Sequence, residues 1–409
     1  QMVRWRKVFL IALGILACRN INFETFSSLP RIWGESTQEL VATTLSSLSL
    51  EEKCATLLLI AFGEGRQVPK GFATRLRSLP VGGVLMFSYN IPKTAEELID
   101  LTEEIRLAGS SRPPFIALDH EGGTVLRLRG IATELPDARV LGNSRAPEEK
   151  IRQLFRSVAG QIALLGITLN LAPVVEPLTE ETRSFLGRRI YASDPEKVAG
   201  ITAMFIEEMQ KVGVVGVAKH FPGSGNSDPH MGVSLSRAKP SDLRDSLTLP
   251  FRLLLQRGLL PAIMVSHVML PEEGVREPAT LSEKVLTQIL RNQWRYTGLV
   301  VTDDFLMKGL SSFSPPAEGV VRSIRYGTDL AMYLGSDYER VHKALVEAVR
   351  TGALPEARVH EAVKRIVYIQ MQMRRLHPAY SSLDPKRRLQ EFYRLKAEGD
   401  RLVQEIMKF

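Results

Sequence analysis

Short apolar runs alternate with amphipathic helical stretches along most of the chain. Because the runs are continuously apolar, they predict strands of a parallel sheet that is covered on both faces. They are residues 56–62, 82–88, 114–119, 168–174, 214–219, 261–267, 298–303 and 327–334. The helical stretches between them include residues 95–107, 148–165, 195–211 and 283–294.

Strand–helix alternation of this kind indicates βαβ units. Eight such units between residues 56 and 334 fit a TIM (β/α)8 barrel, which usually has about 250 residues. A doubly wound open sheet is the alternative, and the number of strands favours the barrel. We therefore predict one α/β catalytic domain over residues 48–375, beginning with a helix capped by Ser49, and a basic helical tail over 376–409 that packs on the barrel or extends from it.

A barrel of this type places its chemistry at the carboxyl ends of the strands. Five side chains suited to catalysis or binding stand at those ends in the sequence. They are Asp119, Lys219, His220, His267 and Asp303. Since five are unlikely for a purely structural rim, the pattern predicts an active site there.

The seventh apolar run ends in two acids, Asp303 and Asp304. Neighbouring carboxylates raise one pKa unless cations or donors compensate, and Lys219 could do so. A carboxylate kept ionised in this way can attack a sugar carbon as a nucleophile. The structural alternatives are a salt bridge between Asp303 and Lys219, and a helix over residues 305–310 that Asp304 caps.

The fifth run leads into a loop rich in Gly, Ser, Asn and Pro that carries Asp228 and His230. A carboxylate beside an imidazole can orient it and raise its pKa, which suits a general acid/base near neutral pH. The alternative is that both are solvated loop residues. His220, directly after Lys219, is better placed to bind a substrate hydroxyl.

The net charge of +8 is concentrated at the two ends of the chain, and the middle is close to neutral. A nucleic-acid-binding protein is expected to carry its basic residues on the folded body, so that class is excluded. The basic ends suit contact with a membrane surface or simple solubility.

The first residues resemble an export signal, with Arg4, Arg6 and Lys7 ahead of a short apolar segment. Residues 15–18 (ILAC) match the pattern of a bacterial lipobox, which would lipidate Cys18 and attach the protein to a membrane. A plain signal peptide or an uncleaved anchor is the alternative. We predict residues 1–18 as signal, residues 19–47 as an irregular linker, and an exported protein. Cys54 is the other cysteine, so the mature chain would have no intrachain disulfide.

Five segments that carry polar or charged residues follow one another along the chain. They are residues 117–127 (ALDHEGGTVLR), 170–175 (NLAPVV), 187–195 (GRRIYASDP), 219–230 (KHFPGSGNSDPH) and 302–307 (TDDFLM). In sequence and in order they resemble the motifs of glycoside hydrolase family 3, in its single-barrel β-N-acetylhexosaminidase branch. The resemblance covers about residues 48–375.

The resemblance implies Asp303 as nucleophile, His230 as general acid/base and Asp228 as its partner. It implies that the terminal sugar is held by Asp119, Arg127, Arg189, Lys219 and His220. It implies a saccharide substrate with no metal and no other cofactor; the sequence has no HExxH motif and no Cys/His cluster at ligand spacing.

The chain departs from the family pattern in a few places. Ser224 stands where the family usually has a second His, Glu176 replaces an Asp, and Ile190 replaces a Ser. The loop between Gly225 and Asp228 holds two residues where four are usual, which bears on how far His230 can reach.

The resulting prediction is a retaining exo-β-N-acetylglucosaminidase acting on cell-wall or chitin-derived saccharides. The alternatives are another β-glycosidase such as a β-glucosidase, a phosphorylase of the same fold, or a surface lipoprotein that binds saccharides without hydrolysing them. Neither the oligomeric state nor the linkage cleaved follows from the sequence.

Overall fold

The computed structural model describes residues 35–109, 112–376 and 383–409. Its centre is a parallel sheet of eight strands that curves into a nearly closed barrel. The strands are β1 Leu58–Ala61, β2 Gly83–Leu85, β3 Phe115–Leu118, β4 Leu169–Asn170, β5 Val215–Phe221, β6 Ala262–Val265, β7 Leu299–Thr302 and β8 Ala331–Tyr333. Each lies within or overlaps one of the eight predicted runs, so the predicted TIM barrel is confirmed.

Neighbouring strands follow chain order from β1 to β7, and β8 pairs with β1. The remaining gap between β7 and β8 is bridged at Val301 and Leu330. There the Thr302 N–H donates to the Leu330 carbonyl (3.1 Å), and the Thr302 hydroxyl accepts from the Met332 N–H (2.9 Å). The two edges of the sheet are thus joined by only a few bonds.

Helices surround the barrel and cover its apolar outer face. They are Leu50–Thr56, Phe72–Ser78, Ala95–Ala108, Ala138–Asn143, Glu148–Leu164, Arg183–Leu186, Pro195–Lys211, Leu249–Gln256, Lys308–Ser311, Pro316–Tyr326, Tyr338–Arg350 and Glu356–Leu376, with π-helical segments at Leu243–Leu247 and Lys284–Gln293. The predicted cap is confirmed, since the Ser49 hydroxyl accepts the Glu52 N–H (3.1 Å) and the Glu52 carboxylate accepts the Ser49 N–H (2.8 Å).

Residues 35–47 differ from the predicted irregular linker, because they form the helix Glu35–Ser47. Val41 and Leu45, one helical turn apart, are buried against the helix Glu356–Leu376. The many polar residues of this segment obscured so narrow an apolar stripe. The predicted signal and Cys18 lie outside the described residues. Cys54 is buried, and burial raises the pKa of its thiol to about 12.

The C-terminal helix Pro385–Ile406 packs along the helix Glu148–Leu164 on the outside of the barrel. Of the two alternatives given for the tail, this is the one in which it packs on the barrel. Phe392 and Leu402 are buried in this contact. In the parts of the chain that the structure describes, none of the helices is both long enough and apolar enough to cross a bilayer.

The backbone of the C-terminal helix also takes part in the contact. The Ser157 hydroxyl donates to the Leu395 carbonyl (2.6 Å), and the Thr133 hydroxyl donates to the Lys396 carbonyl (3.2 Å). Gly399 makes this close approach possible, since a Cβ there would lie 2.5 Å from the Thr133 hydroxyl oxygen.

Candidate active site

The carboxyl ends of the barrel strands bring the predicted site residues to one face. Asp119 directly follows β3, and Lys219 and His220 lie near the end of β5. His267 lies just beyond β6, and Asp303 directly follows β7. The structure therefore places all five side chains where the strand pattern predicted them.

Lys219 is held between two carboxylates. Its Nζ lies 2.9 Å from Asp119 Oδ1 and 2.6 Å from Glu121 Oε1. The lysine is almost fully buried, and although burial alone would lower its pKa, the charges of Glu121 and Asp119 raise it. Lys219 is thus a fixed cation, and its salt bridges are with these two residues instead of the one to Asp303 considered from the sequence.

Arg189 forms a two-pronged pair with Glu121, with Nε at 2.8 Å from Oε2 and Nη2 at 2.9 Å from Oε1. Burial works to raise the pKa of Glu121, but Lys219 and Arg189 outweigh it and lower the value to about 2. Arg127 reaches the other side of the cluster, where its Nη2 lies 3.5 Å from Asp119 Oδ2. The result is a rigid, ionised pocket wall that can bind sugar hydroxyls.

Sequence reasoning did not include Glu121 among the site residues, although the resembling segment 117–127 contains it. In the structure it contacts both Lys219 and Arg189 and is buried. Its position in a short strand, His120–Gly122, that pairs with Val125–Leu126 turns it toward the pocket wall. An acid next to a predicted site residue was the available signal.

Asp303 is partly buried at the end of β7, and its Oδ1 accepts the Asp304 N–H (3.0 Å). Burial by itself would raise the pKa of Asp303. The nearby histidines His267, His220 and His230 outweigh that effect and lower it. Asp303 is therefore ionised at neutral pH, which is the state that a carboxylate nucleophile requires.

Asp304 does not cap a helix over residues 305–310, since the helix after it is Lys308–Ser311 and begins after Met307. Its Oδ1 instead accepts the N–H groups of Leu306 and Leu334, each at 3.2 Å. Burial and the charge of Asp303 raise the pKa of Asp304 to about 6. The two adjacent acids thus titrate far apart.

His267 is fully buried and fixed by two contacts. Its Nε2 donates to the Asp304 carbonyl (2.9 Å), so its Nδ1 accepts from the Thr280 hydroxyl (2.8 Å). Burial lowers the pKa of His267. This buried imidazole supports the turn that carries Asp303 and Asp304.

Glu176 and Ser224 are two of the positions at which the sequence departs from the family pattern, and the structure brings them into contact. Oε1 of Glu176 accepts from Nδ1 of His220 (2.7 Å) and from the Ser224 hydroxyl (3.0 Å). Its Oε2 accepts the Ser224 N–H (2.7 Å). Glu176 therefore fixes the ring of His220, whose Nδ1 donates to its carboxylate.

Asp228 and His230 form a pair on an exposed loop. The Nδ1 atom of His230 donates to Asp228 Oδ1 (2.7 Å), and so does the His230 N–H (2.9 Å). Burial would raise the pKa of Asp228, but its bonds to His230 lower it overall. Asp228 thus stays ionised and orients the imidazole.

This loop rests on the segment that follows Asp303. The Gly309 N–H donates to the Pro229 carbonyl (3.0 Å), and a Cβ at Gly309 would lie 3.0 Å from the Gly232 carbonyl oxygen. The base of the loop is tied by the Asn226 N–H, which donates to the Leu235 carbonyl (2.8 Å). The shortened loop therefore still brings the Asp228–His230 pair to the same side of the barrel as Asp303.

Within the described ranges, no group of three or more His, Cys, Asp or Glu side chains is arranged to hold a metal ion. The clustered acids of the pocket are instead paired with cationic side chains, as in Lys219–Asp119 and Arg189–Glu121. The site can therefore offer a carboxylate, an imidazole and a charged pocket wall to a substrate.

The family model of the glycosyl hydrolase family 3 N-terminal domain matches residues 49–369 of this chain. The chain belongs to glycosyl hydrolase family 3. This family 3 chain is a glycoside hydrolase on a TIM barrel, and the predicted resemblance is confirmed.

Similar proteins include the beta-hexosaminidase of Pseudomonas aeruginosa, 30% identical over 287 residues that make up 69% of this chain and 84% of the relative. The beta-hexosaminidase LpqI of Mycobacterium tuberculosis is 31% identical over 78% of this chain and 82% of its own length. The solved structure of that protein superposes with a TM-score of 0.71 at 30% identity, covering 81% of this chain and 96% of LpqI. A family 3 β-N-acetylglucosaminidase from Paenibacillus sp. gives a TM-score of 0.75 at 29% identity, with coverage of 80% and 63%.

Proposed function

We propose that the chain is a retaining exo-β-N-acetylglucosaminidase that removes terminal N-acetylhexosamine from cell-wall or chitin-derived saccharides. The similarity of the chain to proteins named beta-hexosaminidase supports a hexosaminidase activity. The observation that carries the mechanism is the placement of the Asp228–His230 pair. The loop bearing it is bonded at Pro229 to Gly309, in the segment that follows the ionised Asp303.

In the proposed first step, Asp303 attacks the anomeric carbon while the imidazole of His230 protonates the departing glycosidic oxygen. The Asp228 carboxylate stabilises the protonated imidazole of His230. In the second step the neutral imidazole takes a proton from water, and the resulting hydroxide releases the sugar from Asp303 with its anomeric configuration retained.

The pocket wall would bind the terminal sugar before and during these steps. Residues proposed for this role are Asp119, Arg127, Arg189, Lys219 and His220. Because ion pairs and hydrogen bonds already fix most of these side chains, they need little reorganisation when the sugar enters. Glu121 and Glu176 would act through them, by holding Arg189 and His220 in place.

The test is hydrolysis of an aryl β-N-acetylglucosaminide by the parent protein, by Asp303→Ala and by Asp245→Ala. Asp245 is an exposed acid on the outer surface and serves as the matched control. We expect turnover by the parent and the control and a loss of several orders of magnitude in Asp303→Ala, because the nucleophile is gone. Near-parental turnover by Asp303→Ala would contradict the assignment.

Two further measurements separate the alternatives. Proton NMR early in the reaction should show the β-anomer of the released sugar, since two displacements retain the configuration. A substrate without the 2-acetamido group that reacts as well would indicate a β-glucosidase, and faster turnover with phosphate than with water would indicate a phosphorylase. Sugar binding without any turnover would favour the non-catalytic saccharide-binding protein.

A further inference from the structure

A cavity of about 410 Å³ opens at the N-terminal end of the barrel, on the face opposite the candidate active site. It lies where β3 and β4 begin, since Phe115, Ile116 and Thr168 line it. One wall is apolar and includes Pro113 and Met373. This volume is enough for a small organic or inorganic ligand.

The lining of the cavity also includes three arginines. Arg106 extends from the helix Ala95–Ala108, Arg374 from Glu356–Leu376, and Arg388 from the C-terminal helix. Among the described residues that line the cavity, Glu103 is the single acid. The guanidinium groups of Arg106 and Arg388 both lie within 4.0 Å of its carboxylate.

Glu103 is already engaged by one of these arginines. Arg106 binds it through Nε at 2.9 Å and Nη2 at 2.5 Å, whereas Nη1 of Arg388 is 4.0 Å from the same carboxylate. The Arg388 side chain is only 9% exposed, and its Nε donates to the Leu164 carbonyl. Because burying a charge without a close counter-ion costs free energy, a second negative charge beside the Arg388 guanidinium would be stabilising.

Neighbouring charges point the same way. Burial lowers the pKa of Arg388 and of Arg374, and the positive charge of Arg106 contributes to both shifts, although Glu103 and Asp100 partly oppose the shift of Arg388. Close by, burial and the charge of Arg374 contribute to a lowered pKa of Arg112, about 10. The arginines therefore repel one another, and an anion among them would relieve that repulsion.

Two buried polar atoms at this end of the barrel also have no hydrogen-bond partner in the parts of the chain that the structure describes. One is Oε1 of Gln370, a cavity-lining residue that is 6% exposed; the other is Nη1 of Arg112. The amide of Gln370 is held in place because its Nε2 donates to the Gly82 carbonyl (3.1 Å). Oε1 is thus a fixed acceptor suited to a ligand hydroxyl.

We propose that this cavity binds a small oxyanion that also carries a hydroxyl group, such as a phosphate or a hydroxycarboxylate. Arg106, Arg374 and Arg388 bind its anionic oxygens, and Gln370 accepts its hydroxyl. Guanidinium groups are well matched to such oxyanions because they donate in pairs. The bound anion links three helices and thereby stabilises the docking of the C-terminal helix on the barrel.

Thermal unfolding of the full chain in increasing phosphate, compared with chloride at the same ionic strength, tests this site. We expect a saturable rise in Tm of the parent with phosphate, because a ligand that binds only the folded state stabilises it. Arg106→Gln and Arg374→Gln should lose most of that rise. Arg244→Gln, which removes the same charge from an exposed pair with Asp245, should keep it.

Each variant is compared with itself in chloride, so any direct loss of stability cancels. Isothermal titration calorimetry with phosphate should give a dissociation constant at least tenfold weaker in Arg106→Gln than in the parent. Citrate serves as the second probe and should compete with phosphate for the same site. An equal response of all variants, or a Tm response to phosphate no larger than that to chloride, would overturn the proposal.

Discussion

The carboxylate of Glu176 connects His220 to Ser224, and these residues form one unit. The family pattern has a shorter acid at position 176 and a larger side chain at position 224. The longer acid here reaches a smaller partner, so the two departures compensate each other in space. His220 keeps its hydrogen bond as a result.

Glu176→Asp should lower kcat/KM by about 10-fold to 100-fold, since it withdraws a charged hydrogen-bond partner worth roughly 1.5–3 kcal/mol. Ser224→His alone should be at least as damaging, because Ser224 is buried against Glu176. The double variant should recover much of the loss. Additive losses in the double variant, measured as kcat/KM on an aryl glycoside, would show that the two positions are independent.

Asp304 offers a test of its raised pKa. A carboxyl whose pKa in the folded protein is about 6, above its ordinary value of 3.8, favours folding when protonated. That contribution is complete below pH 3.8 and is lost as the pH rises through 6. Asn can accept the same two N–H groups without a charge.

Asp304→Asn should therefore have a higher Tm than the parent at pH 8, and the two should converge near pH 4. Asp337→Asn is the control of opposite sign, since the Tyr333 hydroxyl lowers the pKa of Asp337 and the charged form favours folding. Thermal unfolding between pH 4 and pH 8 measures both. An Asp304→Asn advantage that is the same at pH 4 and pH 8 would argue against the raised pKa.

The C-terminal helix can lie close to the barrel because position 399 is a glycine. Its close approach to Thr133, Ser157 and Gln161 leaves no room for a Cβ at Gly399, which would lie 2.5, 2.9 and 3.1 Å from their polar atoms. The hydroxyl groups involved also donate to carbonyls of this helix. Packing and hydrogen bonding thus fail together if the helix moves outward.

Gly399→Ala should lower the free energy of unfolding by about 1–3 kcal/mol through overpacking. Gly200→Ala is the matched control, because Gly200 also lies inside a helix but a Cβ added there would meet no atom within 4 Å. That control should gain about 0.5–1 kcal/mol from its better helix propensity. Urea unfolding of both variants measures the difference, and equal effects would contradict the close contact.

For the molecule as a whole, Asp329 secures the point where the barrel closes. It is fully buried just before β8, and its Oδ2 accepts the Val300 N–H of β7 (2.9 Å). Three arginines, Arg291, Arg358 and Arg365, pair with it. Burial opposes its charge, but these cations lower its pKa, so its contribution to stability is present at neutral pH and is lost as the pH falls through that lowered value.

Asp329→Ala should destabilise the fold by about 3–5 kcal/mol, because it leaves buried guanidinium groups without their shared carboxylate. Asp245→Ala removes an exposed acid whose pair with Arg244 is worth no more than about 1 kcal/mol. Urea unfolding at pH 7 compares the two. A loss in Asp329→Ala as small as that in the control would mean that the arginines find other partners.

The barrel could be predicted from the sequence because each strand is a local apolar run with its own flanking helix. The same argument located Asp119, Lys219 and Asp303, since strand ends can be counted along the chain. The pairing of Arg189 with Glu121 could not be predicted, because 68 residues separate them and only the closed barrel brings them together. The helix Glu35–Ser47 was missed because its stability comes from a distant helix and not from its own pattern.

The docking of the C-terminal helix also has a consequence for how its sequence can change over time. Part of this contact consists of hydrogen bonds from the barrel to main-chain carbonyl groups of the helix, which are present whatever the side chain. Substitutions on the outer face of the helix can therefore accumulate without weakening these hydrogen bonds. Gly399 cannot acquire even a methyl group, so a glycine between the buried Phe392 and Leu402 is the trace that this attachment would leave in a divergent relative.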